Sequence, residues 1–258
     1  MLRRIAAIGG DDAWRQSLVN ASEGKHAQII PVSSKNELPA GTVSVVAAGD
    51  EAGPVVDAAL WLGNWQEQAL DLLAEAIDCR EGFVEGASRR VRDHARRFAE
   101  ALGLAPADQS TLERGACVRD IGKTKIPNEI LLKQGVLSYD EWLLLQRHPE
   151  IGAAIIQGVD GLKDTADIVR YHHECFDGDG YPAGLEGDKI PFLARVMKIV
   201  DVYCAMTSPR HYREGHSTHG AAIEYLRSER GKHYDPGLVD TFIAGNVGQP
   251  QVQSLPAE

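Results

Sequence analysis

Two adjacent histidines, His172 and His173, run into Glu174 and then into Asp177-Gly178-Asp179-Gly180-Tyr181-Pro182. This stretch constrains the fold more than any other. On a continuous helix, one of two neighbouring side chains turns away from the core. Both imidazoles can therefore reach one point only if the last helical turn opens there, and the glycine-rich segment that follows supplies such a break. Neutral imidazole is the commonest metal ligand, and Asp completes oxygen-rich sites for Fe, Mn or Zn. On the pair alone, two surface histidines are the simpler reading.

The surroundings reverse that preference. His148 lies in Arg147-His148-Pro149-Glu150-Ile151-Gly152, where Pro149 suits the opening of a helix. Asp120 and Lys123 fall in Arg119-Asp120-Ile121-Gly122-Lys123 at the end of another helix. Asp201 follows the apolar pair Ile199-Val200, so it faces inward or sits at a core edge, and a buried carboxylate needs a metal or a cation as partner. Four helix ends thus offer His or Asp, the pattern of a metal site inside a helical bundle.

The chain around these residues reads as mainly α. Val91, Ala95, Phe98 and Leu102 recur at helical spacing up to Gly103, and a helix near Leu112 to Ile121 stops at Gly122. Trp142 and Leu145, then Ile151, Ile155 and Ile156, continue the pattern. So do the faces Thr165, Ile168, Val169, His172 and Val196, Ile199, Val200, Tyr203. Segments at Ala221 to Leu226 and Gly237 to Phe242 close the domain. An earlier stripe of Leu60, Trp61, Trp65, Leu72, Leu73 and Ile77 suits an inter-domain or dimer-facing helix, which admits a homodimer.

The first 56 residues differ. Ile5 to Ile8, Gln28 to Val32 and Val43 to Ala48 read as strands, with a helix over Asp12 to Ala21. Gly9-Gly10-Asp11-Asp12 and Asp50 give this small α/β module a receiver-like cast, truncated, with Asp50 far more plausible as a solvated loop acid than as a phosphoacceptor. The expected organisation is a module over 1–56, a linker helix and helical domain over 57–245, and a flexible tail over 246–258. A formal charge of −10 argues against a nucleic acid polymer or an anionic membrane as partner. No apolar run approaches the roughly 20 residues of a membrane span. The four cysteines form no CxxC pair, so a reduced, cytoplasmic protein is expected.

From about Ala76 to Phe242 the chain resembles the HD-GYP family of cyclic di-GMP phosphodiesterases, within the HD superfamily of metal-dependent phosphohydrolases. The resemblance rests on motifs in order. Asp120-Ile121-Gly122-Lys123 precedes Ile126-Pro127, Lys133-Gln134-Gly135 and His148-Pro149-Glu150-Ile151-Gly152. His172-His173-Glu174 then leads through Gly180-Tyr181-Pro182 to Ala194-Arg195-Val196, Asp201 and Arg210-His211-Tyr212-Arg213. It implies an HD-type helical bundle with a metal site drawn from Asp120, His148, His172, His173 and Asp201. Asp120 would bridge two metal positions and, with Lys123, serve catalysis.

The departures from that pattern lie at single residues. The family's first ligand His is matched by Ala87, its His-Asp motif reads Arg119-Asp120, and a third Asp is Cys204. His94, further along the helix from Ala87, is set at the wrong angle to substitute. The resemblance thus implies one ruined metal position and one nearly whole, holding one divalent ion (Fe, Mn, Zn or Ni) or none. Lys123, Arg195, Arg119, Arg210 and Arg213 would form a basic cluster for the substrate phosphates. For Arg119 two roles stay open: a phosphate contact standing in for a lost metal, or an ion pair with Asp120 or Asp201. Gly180, Tyr181 and Pro182 have a turn-forming role, and the family associates this loop with diguanylate cyclase domains. Two functions follow: a degenerate module that binds cyclic di-GMP or a partner without hydrolysing it, or an active metal-dependent phosphodiesterase yielding linear dinucleotide or GMP.

Overall fold

A computed structural model describes residues 3–8, 27–32, 43–45, 67–81, 86–208 and 217–249. The expected helix over Asp12 to Ala21, the residues Asp50, Arg210 and Arg213, and the end of the tail lie outside them, as does the Leu60 to Trp65 part of the apolar stripe. The chain divides into two compact units, Met1–Ala69 and Leu70–Glu258. The sequence-based division at 56/57 falls within the first.

The first unit contains three strands, β1 (Arg3–Ile8), β2 (Ala27–Val32) and β3 (Val43–Val45). All pairing is parallel, in the order β2-β1-β3, with Arg3 opposite Ala27 and Ile5 opposite Val43. Parallel neighbours need crossover connections rather than tight hairpins, consistent with the long intervals between these strands.

The second unit is helical: α1 (67–80), all but its first three residues, then α2 (Ala87–Ala101), α3 (Pro106–Val118), α4 (Asn128–Leu131), α5 (Tyr139–Leu145) and α6 (His148–Gln157). It continues through α7 (Ala166–Tyr171), α8 (Phe192–Thr207), α9 (His219–Ser228) and α10 (Pro236–Ala244). Its main core forms where α2, α3 and α8 turn their apolar faces together with α9 and α10. Val91, Ala95 and Phe98 meet Leu112, Met197, Ile199 and Phe242 there, and the Phe98 ring stands edge-on to Phe242 at 5.1 Å. Each fully buried side chain of this size contributes about 1.5–3 kcal/mol relative to exposure. A second core joins Ala74 and Ile77 of α1 to Val118, Ile121, Ala153, Ile156 and Val169. The described part of the apolar stripe therefore serves the helical unit itself. Leu70, Leu73, Ala74 and Ile77 share one helical face, whereas Leu72 lies off that face and is 72 % exposed.

One helix end differs from the sequence expectation. α3 stops at Val118 rather than running to Ile121, and a separate 3-10 turn covers Ile121–Lys125. The reason lies at Gly122, where a Cβ would stand 1.9 Å from the His148 carbonyl oxygen and 2.6 Å from the Gly152 nitrogen. The turn packs backbone to backbone against the start of α6, and a continuous α3 could not reach it.

Candidate metal centre and cleft

Three elements meet around Asp120. Gly122 lets the 3-10 turn close on α6, whose first residue is His148, with Pro149 behind it in a position where no backbone donor is required. α7 ends at Tyr171 and the chain opens there, so His172 and His173 both turn toward the same point. One ligand atom from each of Asp120, His148, His172 and His173 lies within 4.8 Å of the others.

The hydrogen bonds define what these imidazoles can do. His148 Nδ1 is 2.8 Å from the Leu145 carbonyl, and His172 Nδ1 is 2.9 Å from that of Val169. A carbonyl only accepts, so each Nδ1 carries the hydrogen, and a ring in its neutral form presents its lone pair at Nε2. Those Nε2 atoms face Asp120 Oδ1 at 3.4 and 3.9 Å, are buried, and have no hydrogen-bond partner. An imidazole lone pair facing a carboxylate oxygen is costly unless a cation lies between them. Burial pushes the His172 imidazole down to about 4 and lowers His173 as well, so both are neutral and able to ligate. Three imidazoles and a carboxylate suit a divalent transition metal, and the residues present fit such an ion.

The other side of Asp120 is occupied by cations. Arg119 Nη2 is 3.2 Å from Asp120 Oδ2, its Nε donates to Asp201 Oδ1 at 2.6 Å, and its Nη1 donates to the Ala116 carbonyl at 2.8 Å. Every nitrogen of this guanidinium is engaged within the protein, and Arg119 is 4 % exposed. Of the two roles left open for it, the ion pair is the arrangement present. Lys123 Nζ bonds Asp120 Oδ1 at 3.0 Å and Glu81 Oε2 at 2.9 Å. Burial alone would raise the Asp120 carboxyl, but Lys123 and Arg119 outweigh it and hold the group well below the usual range. Burial lifts Glu81 to about 7 in spite of Lys123, and it lifts the Cys204 thiol to about 12, leaving that thiol neutral.

A cleft of about 590 Å³ opens over this centre. Ala87, Arg119, Asp201 and Cys204 all line it. Asp201 is committed to Arg119 and stands outside the four-ligand group. His94 is directed elsewhere, with Nδ1 on the Arg90 carbonyl and its ring 5.4 Å from Tyr203. Arg195 does not line the cleft. Its Nη1 is paired with Asp188 and Asp235, and its guanidinium lies over the Phe192 ring.

Tyr181 does line the cleft and stacks on His173 at 4.8 Å, with the Trp142 ring edge-on beyond it. The bond to Pro182 is cis. Gly180 presses on the main chain, since a Cβ there would lie 2.1 Å from the Cys175 nitrogen. Glu174, 1 % exposed, accepts from the Ala183 and Leu185 amides at 2.7 and 3.1 Å and fastens the loop from below.

Sequence reasoning passed over several of these residues. Asp78 binds Ser88 through both its backbone and hydroxyl, Arg80 bonds the carbonyls of Lys123 and Ile126, and Glu81 holds Lys123. A signal existed: Asp78 and Glu81 continue the face begun by Ala74 and Ile77, and acids on a buried helical face call for partners.

The profile of the HD domain family matches residues 71–238. The chain belongs to this family and, within it, to the HD-GYP group. It is 38 % identical over 189 residues to the cyclic di-GMP phosphodiesterase response regulator RpfG of Xanthomonas campestris, covering 72 % of this chain and 50 % of that protein. A cyclic di-GMP phosphodiesterase of Vibrio cholerae is 31 % identical over 257 residues, covering 90 % of this chain and 50 % of the relative. A 3'3'-cGAMP-specific phosphodiesterase of the same organism is 33 % identical over 173 residues, with shares of 66 % and 33 %. The chain thus spans at most about half the length of these relatives. A crystal structure of a cyclic GMP-AMP phosphodiesterase from V. cholerae shares the fold, with a TM-score of 0.53, 16 % identity, and coverage of 69 % of this chain and 47 % of that one. Among the described residues, no helix is long and apolar enough to cross a membrane.

Proposed function

We propose that this chain is an HD-GYP module of cyclic di-GMP signalling in which hydrolysis is impaired and binding is retained. The observation that carries the reading is the Arg119 guanidinium, buried between Asp120 and Asp201 in the cleft that Ala87 and Cys204 also line. Two-metal hydrolysis uses a pair of cations to activate a bridging water and clamp the phosphate. Here the second position holds a fixed cation that neutralises Asp120 and Asp201 but has no coordination site to give to water. Asp120, His148, His172 and His173 would hold a single divalent ion, which supplies Lewis-acid charge when bound. Lys123, Arg90 and Lys133 on the cleft offer positive charge to a dinucleotide phosphate in an otherwise acidic protein. Tyr181 on His173 gives one edge of the cleft an aromatic face, and the exposed Ala183 and Gly184 beside Pro182 are where a partner such as a diguanylate cyclase domain would meet the loop.

The alternative, an active metal-dependent phosphodiesterase, is favoured by the completeness of the four-ligand group. Incubation of the protein with cyclic di-GMP and Mn(II) or Fe(II), followed by chromatography for linear dinucleotide and GMP, separates the two. The proposal expects bound dinucleotide without product and one metal ion per chain. Turnover above the metal-only background, or two ions per chain, would establish the alternative.

A further inference from the structure

Lys123 is shared between two carboxylates, and one of the oxygens it binds has a second claimant. Its Nζ is 3.0 Å from Asp120 Oδ1. That same oxygen faces His148 Nε2 at 3.4 Å and His172 Nε2 at 3.9 Å. An ion held by Asp120 together with these imidazoles therefore competes with an ammonium for Oδ1. Two cations on one oxygen in a buried site repel strongly, because little water screens them.

Glu81 provides a place for the displaced ammonium. Its Oε2 already accepts from Lys123 at 2.9 Å, whereas Oε1 on the same carboxylate is buried and accepts no hydrogen bond. The backbone on which Lys123 is mounted is fixed, since Arg80 donates to the carbonyls of Lys123 and Ile126. Any response must come from the lysine side chain, whose rotatable bonds let the ammonium slide from Asp120 toward Glu81.

We infer that Lys123 is an exchangeable counter-ion, shared by Asp120 and Glu81 while the four-ligand group is empty and given up by Asp120 to Glu81 once that group is filled. Glu81 is then a positioning residue that governs metal affinity through Lys123. The inference rests on reading Asp120, His148, His172 and His173 as a metal half-site. It goes further in making occupancy a contest that Glu81 decides, and it couples the cleft's positive charge to metal loading.

The test is a double-mutant cycle on the full chain, with Mn(II) affinity read from the loss of the free-ion paramagnetic resonance signal. Lys123→Met should bind Mn(II) tighter by about tenfold or more, and Glu81→Gln weaker by about tenfold. In the Lys123→Met background, Glu81→Gln should have little further effect, because no ammonium remains for Glu81 to hold. Additive effects would overturn the exchange while leaving the half-site intact. No Mn(II) bound by any of the four proteins would overturn the half-site reading itself, and this inference with it. Should Lys123→Met fail to fold, a crystal structure of the unaltered protein grown with Mn(II) decides the matter. Nζ between the two Glu81 oxygens supports the exchange, and Nζ still on Asp120 Oδ1 refutes it.

Discussion

Arg119 is adjacent in sequence to Asp120, which it neutralises, and it reaches across to Asp201 on α8. Removing one partner of such a buried group leaves charges without compensation, which costs about 3–5 kcal/mol. Arg119→Ala should therefore lower the free energy of urea unfolding by about 3 kcal/mol. It should leave the cyclic di-GMP affinity of the folded fraction nearly unchanged, because its nitrogens already face protein acceptors. A large loss of affinity in a direct titration would restore Arg119 as a phosphate contact. At this scale the grouping of Asp120, His148, His172 and His173 was legible because their residue types are rare and their motifs fall in order, whereas Asp201, expected with them, stands outside the group. The choice between the two roles of Arg119 was not, since it depends on how near Asp201 comes across 82 residues of chain. Glu81 and Asp78 escaped because single acids on a charged helix look like solvated surface until their face is traced to the core.

At the scale of elements, the centre depends on how closely backbones approach. Gly122 is the tightest such point, and the atoms a Cβ would strike are main-chain atoms of α6 that cannot swing aside. Gly122→Ala should push the 3-10 turn off α6 and draw Asp120 away from His148. The expected result is loss of Mn(II) binding together with a lower melting temperature. Gly158→Ala is the control. A Cβ there meets only the Ile155 carbonyl at 3.7 Å, an ordinary contact, and metal binding should persist. Retained Mn(II) affinity in Gly122→Ala would show that the site does not need this contact. Helix faces were readable from apolar spacing, as Val91, Ala95 and Phe98 illustrate. The end of α3 was not, because a glycine that admits the His148 carbonyl looks in sequence like a simple helix stop. Glu174 was likewise hidden, since its partners are backbone amides nine and eleven residues onward.

For the whole molecule, the mainly helical unit and the strands that precede it were both visible in the change of apolar period along the chain. The strand order β2-β1-β3 was not, because pairing between distant segments leaves no local mark. The site also acts on the molecule as a whole through pH. Burial depresses His172 to about 4 from an ordinary 6.5, so the unfolded chain takes up that proton first as the solution is acidified. The stability this group contributes is present above about 6.5 and is lost as pH falls toward 4, on the order of 3 kcal/mol. His173 shifts in the same direction. Glu81 opposes them: its carboxyl is raised to about 7 from 4.5, so the native state takes up that proton first and gains stability as pH falls through this interval. Two histidines against one carboxyl predict a net but shallow loss between about 6.5 and 4.5, steepening below 4.5 once Glu81 has no more to give. Urea unfolding of chelator-treated protein across that range measures the slope directly, and Glu81→Gln should steepen its upper part. Mn(II) binds imidazole only in its neutral form, so the stabilisation it adds should shrink over the same acid range. A profile that Glu81→Gln leaves unaltered would mean that this carboxyl does not exchange protons on folding.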